Sequence, residues 1–288
     1  MKKAANFFEK TMNIVFIFCG FLAVAFVILI SGFLLASGMP AIGKIGICDF
    51  LFGTEWASTA STPSYGILPF ILTSVYGTFG AIIIGVPLGL MCAIFVAKVA
   101  NDKTAKWVRT SVDLLSGIPS VVYGLVGMII IVPLVREAFN LSDGANLFSS
   151  IIVLTIMILP SVISVSETAI RAVPKEYEEA SLALGATKTE TIFKVIVPAA
   201  KSGILASVVL GIGRSIGEAM AVMMVSGNVA NMPGLFKSVR FLTTAVASEM
   251  SYSSGLQREA LFSIALVLFI FILIINLVLN LIAKKNKE

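Results

Sequence analysis

Long stretches without a single charged side chain constrain this chain more than any motif does. No Asp, Glu, Lys or Arg occurs in residues 11–43, 56–97, 114–135, 144–166 or 260–283. A helix needs about 20 apolar residues to cross a hydrocarbon core ~30 Å thick, and each of these stretches holds such a run. A sixth, 203–227, is equally apolar but contains Arg214 and Glu218. Only helices satisfy their own backbone hydrogen bonds in lipid at these lengths. A membrane β-barrel would instead show alternating segments of about 10 residues, and none are present. Composition agrees: 58% of the 288 residues are apolar and 13% charged, with mean hydropathy +1.00, whereas a soluble domain carries about 25% charged residues. The expectation is an all-α integral membrane protein. Its residues 1–288 form one domain of six transmembrane helices at about 12–36, 66–97, 114–135, 147–166, 203–227 and 260–283. No room is left for a soluble enzyme domain.

The placement of charge sets the expected topology. Fifteen Lys and Arg residues fall at the N-terminus, after spans 2 and 4, and in the C-terminal tail, against five on the alternate side. The Lys/Arg-rich side is cytoplasmic, so both ends are expected inside. The net charge of +5 therefore reads as topology rather than nucleic-acid binding. The first apolar run, ~25 residues, exceeds the 7–15 of a signal peptide and reads as a retained span. Cys19, Cys48 and Cys92 suggest neither a disulfide framework nor a thiolate metal site.

Two motif matches fail on chemistry. Residues 38–44 nearly spell a P-loop, but Ile45 replaces the Ser/Thr that would hold Mg²⁺. Residues 213–217 match the nucleophile elbow G-x-S-x-G. That motif needs a base beside the serine, and the chain has no histidine.

The large inside loop, 167–202, carries more information. Pro174 suits a helix start, and Gly185 a helix end. Thr187 and Glu190 form a capping box for a second helix, which Pro198 stops ahead of span 5. In the first helix Tyr177, Ala180 and Leu184 share a face. That face either enters a partner's groove or packs flat on the chain's own bundle.

Glu179-Ala180-Ser181, then Gly185, then Ile196-Val197-Pro198, resemble the EAA loop of permease subunits of binding-protein-dependent ABC importers, the MetI-like family. Ser181 and Val197 depart mildly from its usual form. Residues 50–56, 65–70, 116–124 and 213–222 resemble the phosphate-importer permeases of that family, the PstC type more than the sister PstA type. The resemblance implies a MetI-like fold and a non-catalytic subunit that forms a translocation path for inorganic phosphate. It implies that Glu179, Ala180, Ser181, Gly185 and Pro198 belong to the segment docking on an ATPase. It further implies a second permease subunit, an ATP-binding subunit dimer that holds ATP and Mg²⁺, an extracytoplasmic phosphate-binding protein, and a bacterial inner-membrane location. No cofactor is expected in this chain itself. A permease of the same fold for another oxyanion or nutrient stays open, as does a stand-alone channel or secondary transporter, against which the EAA-like loop argues.

The residues bear on the anion independently. Arg214 is eleven residues into its span, ~16 Å deep at 1.5 Å per residue, and Arg at that depth costs ~2.5–3.5 kcal/mol on insertion scales. Its guanidinium fork matches phosphate oxygens. Glu218 is expected one turn further on the same face. Arg214, Glu218 and Ser215 are the candidate substrate-path residues. Alternatively, Arg214 and Glu218 neutralise each other or lock the subunit to its partner. Gly203, Ser207, Gly211 and Ser215 form a small-residue stripe suited to close helix packing. The cluster 117–120 marks either a kink or a gating element at the start of span 3.

Overall fold

The computed structural model describes residues 2–285 and, within them, the side chains of 9–278 and 281. Lys287 and the side chains of Lys2, Lys3, Lys284 and Lys285, counted in the charge asymmetry, lie outside the described residues.

Helix α1 (Lys2–Ile45) is apolar and outward-facing along most of its length. Its described contacts concentrate where it crosses α14 (Gly255–Lys285) in antiparallel fashion. There Phe33 meets Phe262 edge-on at 5.5 Å, Ser263 donates to the Gly38 carbonyl at 2.5 Å, and Lys44 pairs with Glu259 at 2.6 Å. A short α2 (Ile47–Phe52) and a two-residue hairpin, β1 (Trp56–Ala57) with β2 (Ser64–Tyr65), lead into α3 (Leu68–Ile94). The wider turn Phe95–Val99 ends that span.

Helix α4 (Asp102–Gly117) lies across the same end of the bundle, its Ala105 and Val112 buried. The next span begins at Ser120, as α5 (Ser120–Val126), a wide turn Gly127–Ile131 and α6 (Val132–Ala138). Residues 114–117 thus belong to α4 and not to the third span. Pro119 lacks an N–H and holds Ile118 extended, at φ −72° and ψ 128°, which ends one helix before the next starts.

Helix α7 (Leu147–Arg171) is the central post. Gly80, Gly85 and Gly89 of α3 receive Ile151, Ile158 and Val162 so closely that an added Cβ would lie 2.7 Å from each side chain. On its other side α7 meets α11 (Lys201–Gly217). Between them run α8 (Lys175–Ala183), α9 (Lys188–Thr191), a wide turn Ile192–Ile196 and α10 (Val197–Ala199).

Pro198 lies inside the last turn, and the helix ends one residue later, at Ala199, ahead of span 5 as the sequence suggested. The chain turns through Pro198 and breaks at Ala200, with a 69° bend into α11. The wide turn explains this. Its i→i−5 bonding, Val197 N–H to the Ile192 carbonyl, opens the helix where a proline ring would meet the preceding turn. Pro133, second residue of α6, follows a wide turn in the same way.

Five described helices are long and apolar enough to cross a membrane, and six if the bent pair is one span. The last elements are α12 (Met220–Val225) and α13 (Leu242–Glu249), followed by α14.

Candidate functional site

The fifth span is not continuous. Helix α11 ends at Gly217, Glu218 is extended at φ −72° and ψ 130°, and the chain resumes as α12 at Met220. Glu218 therefore does not lie one turn above Arg214 on a shared face, and the two form no ion pair. The physical reason is a pair of hydrogen bonds, one local and one from a residue 25 positions on. The Glu218 carboxylate accepts the Ala221 N–H at 2.9 Å, satisfying an orphan donor at the start of α12, and its own carbonyl accepts Thr243 Oγ1–H at 2.6 Å. Once those bonds form, continuing the α11 helix would break both.

Arg214 is partly buried and makes no hydrogen bond or ion pair among the described residues. It lies thirteen residues beyond Lys201 in sequence, ~20 Å along the helix. Ser215 turns away from it, buried, its hydroxyl 3.4 Å from Thr78 Oγ1 of α3. The small-residue stripe faces the same way. Ser207 shares a 2.8 Å hydrogen bond with Ser166, and a Cβ on Gly203 would sit 2.3 Å from Ala169 Cβ. Ser215 and the stripe hold the span to α3 and α7, so of the three candidate path residues Arg214 is the one whose side chain makes no hydrogen bond or ion pair among the described residues.

The second candidate region is the loop before α11. Pro174 precedes α8 by one residue, and Gly185 ends it at φ +88°, with Ala186 N–H reaching back to the Ser181 carbonyl at 3.2 Å. Tyr177 is 53% and Leu184 90% exposed, while Glu179 and Ala180 are also exposed. The apolar face of α8 is thus not packed flat on the chain's own bundle. Ser181 points the other way and joins Thr191 Oγ1 at 2.9 Å, tying α8 to α9. The Thr187–Glu190 capping box is present. The Thr187 backbone N–H, then Lys194, draw the Glu190 carboxyl from its ordinary 4.5 down to about 2.

Two charged clusters escaped the sequence reading. At the α8 end, the buried Glu167 accepts Arg109 Nε–H at 2.6 Å and Arg171 Nε–H at 2.7 Å. Arg171 also donates to the Val96 carbonyl at 2.8 Å, and a cavity of about 340 Å³ opens beside them. Lys98 pairs with Glu178 of α8 at 2.6 Å. The spacing of Glu167 and Arg171, i and i+4 at a span end, was a usable signal. At the opposite end Glu249 is the hub of a set of bonds from Arg240, Trp56, Ser58 and Gln257. No local pattern announces it, because Trp56 lies 193 residues away.

Comparison with known proteins gives this arrangement a family. The sequence model of "Binding-protein-dependent transport system inner membrane component" matches residues 85–288. A probable ABC transporter permease protein of Bacillus subtilis, YqgH, is 38% identical across 90% of this chain and 86% of its own length. The phosphate transport system permease protein PstC of Pasteurella multocida is 34% identical, covering 77% of this chain and 75% of its own. Among solved structures, the inward-facing MetNI methionine ABC transporter shares the fold with a TM-score of 0.58 at 20% identity, covering 77% of this chain and 94% of that one. A bacterial importer of the polysaccharide alginate does so with a TM-score of 0.59 at 14% identity, over 87% and 95%. The family match over most of the chain, the relatives and the shared fold agree: this chain belongs to the binding-protein-dependent transport system inner membrane components.

Proposed function

We propose that this chain is the transmembrane permease subunit of an ABC importer for inorganic phosphate. The observation that carries this reading is Arg214, a guanidinium with no hydrogen-bond or ion-pair partner among the described residues, one turn before the break in the fifth span. The similarity to PstC permeases supports phosphate as the substrate. A guanidinium presents parallel N–H donors that match two phosphate oxygens. A second charge bears on the fit. An unpaired Glu218 would repel the anion, but its carboxylate is turned into the backbone of α12, where a helix N-terminus favours negative charge. Arg214 is thereby left free for substrate.

The chain performs no hydrolysis in this reading. ATP and Mg²⁺ bind to a partner ATPase dimer, and the exposed face of α8 around Glu179, Ala180 and Gly185 docks on it. Ser181 and the turn at Pro198 pass the movement to α9, α10 and α11. A second permease subunit completes the path, and an extracytoplasmic phosphate-binding protein delivers substrate at the end opposite α8. The protein resides in the bacterial cytoplasmic membrane with both termini inside.

The test is uptake of labelled phosphate by cells carrying Arg214→Gln and Arg214→Lys at wild-type expression. Gln should abolish uptake and Lys should leave a small fraction, because an ammonium cannot reproduce the fork. Normal import by both variants overturns the assignment of Arg214. Competition by sulfate or molybdate stronger than by phosphate reassigns the substrate while keeping the transporter class.

A further inference from the structure

The short helix α12, which carries the Glu218 cap, is held from the end of the bundle opposite α8. At its inner end Thr243 Oγ1–H bonds the Glu218 carbonyl at 2.6 Å. At its outer end Val239 N–H bonds the Ser226 carbonyl at 2.9 Å, and Arg240 donates through Nε (3.1 Å) and Nη2 (2.9 Å) to the Asn228 carbonyl. Asn228 has φ +49°, the left-handed region that asparagine enters more readily than most residues. Arg240 is little exposed, at 16% of its side chain. It spends its other terminal nitrogen on Glu249, itself 20% exposed. Glu249 in turn accepts Trp56 Nε1–H at 3.3 Å and Gln257 Nε2–H at 3.1 Å. Arg240 also lies over the Phe70 ring at 5.8 Å.

Three separate parts of the chain therefore meet on one ion pair. These are the hairpin that carries Trp56, the start of α14 at Gln257, and the segment leaving α12. Both charges are largely removed from water, so each depends on the other and on its hydrogen bonds. Among the described residues, the backbone group that Arg240 holds is the Asn228 carbonyl, at the exit of the helix beside the break.

We propose that the Arg240–Glu249 pair is a strut that positions α12, and with it Glu218, according to the placement of the outer hairpin at Trp56. A displacement of that hairpin, as when a substrate-loaded protein docks on this end, reaches the break in the fifth span through Arg240. The signalling part of this inference rests on the importer reading above; the mechanical part does not.

The mechanical part is tested first, on the full chain in membranes, with Cys19→Ser, Cys48→Ser and Cys92→Ala and one new cysteine at Ala219→Cys. The readout is the rate of labelling by a small maleimide. Arg240→Gln should raise it roughly tenfold or more, because a lost charge-assisted hydrogen bond frees the local opening of a short helix. Glu249→Gln should act in the same direction. A control cysteine at Ser150→Cys in α7 should label as slowly as before. Should Arg240→Gln not accumulate, Arg240→Lys serves: it keeps a charge for Glu249 but cannot also reach Asn228 with two donors. Unchanged labelling at 219 in both the Arg240 and the Glu249 variants overturns the strut. So does an equal rise at 150, which would mean that the pair holds the fold as a whole.

The signalling part is read in the reconstituted transporter, as ATPase rate with and without phosphate-loaded binding protein. The stimulated rate should fall in Arg240→Lys while the basal rate persists. Stimulation equal to wild type overturns the signalling role. No stimulation in wild type overturns the phosphate reading and leaves the labelling result to stand alone.

Discussion

Helix α7 and the fifth span lie against each other and are built from similar apolar sequence, yet one is a continuous rod and the other is broken. The contrast is instructive because the breaker residues fall the wrong way round. Pro160 sits inside α7, which nonetheless runs unbroken from Leu147 to Arg171. The fifth span has no proline between α11 and α12 and breaks at Glu218. An interior proline costs about 3 kcal/mol, but α7 is packed on two sides, by α3 and α11, and that packing outweighs it. At Glu218 the competing interactions are polar. The carboxylate caps α12 and the carbonyl takes Thr243, so the alternative to helix is better satisfied than helix. Continuity in α7 thus follows side-chain burial, and the interruption at Glu218 follows a capping carboxylate.

The largest effect is expected at the contact between the two spans. Gly203→Leu places a side chain where even a Cβ meets Ala169 at 2.3 Å. Overpacking of this kind costs about 1–3 kcal/mol or more, and the yield of folded protein in detergent should collapse. Wild-type yield and thermal stability would mean that α11 is not pressed on α7.

The two carboxylates differ in what they hold. Glu167→Ala removes the acceptor for two arginines at the end of α7. A hydrogen bond to a charged group contributes about 1.5–3 kcal/mol. Both arginines are 44% exposed, so water recovers part of that and the loss should fall toward the lower figure. Glu218→Ala removes a cap and should cost about 1 kcal/mol of stability, while uptake falls far more than stability does. Melting curves and uptake on the same preparations separate the two, and an uptake loss no larger for Glu218 than for Glu167 would erase the functional distinction between the spans.

Leu184→Asp tests the approach to the fifth span. Because Leu184 is 90% exposed, stability should shift by no more than about 0.5 kcal/mol. ATPase stimulation in the assembled transporter should be lost. Retained stimulation would remove α8 from the docking surface.

The smallest effect concerns acid. Glu190 has its carboxyl lowered from 4.5 to about 2 in the fold. Its stabilising contribution is therefore complete above about pH 4.5 and lost as pH falls toward 2. Thr187→Pro, which removes the backbone N–H that lowers the carboxyl most, should return the Glu190 titration, followed by carboxyl NMR on the intact chain, toward its ordinary value. A titration still near 2 would assign the shift to Lys194 instead.

Local chemistry was legible wherever it is decided by neighbours in sequence. Pro174, Gly185 and the Thr187–Glu190 box could be read directly, since each acts within a few residues. The charge-free stretches likewise set the membrane-spanning class, because length and hydropathy alone decide whether a helix can cross lipid. Three things were not legible. Pro198 permits a turn because the preceding residues widen to i→i−5 bonding, a choice that depends on how α8 to α10 pack. Glu218 leaves the helix because Thr243, 25 residues on, is there to receive its carbonyl. The Arg240–Glu249 hub needs Trp56 from the far end of the sequence.

Local sequence thus reveals the membrane class, the family-like loop and the position of Arg214 well inside an apolar run. Which polar groups are already engaged emerges from tertiary packing. Ser215 and Glu218 are engaged by α3, α12 and Thr243, and Arg214 is not. The physical reason is that a hydrogen bond between distant segments leaves no mark on local composition, yet it is such bonds that separate residues holding the fold from residues free to hold a substrate.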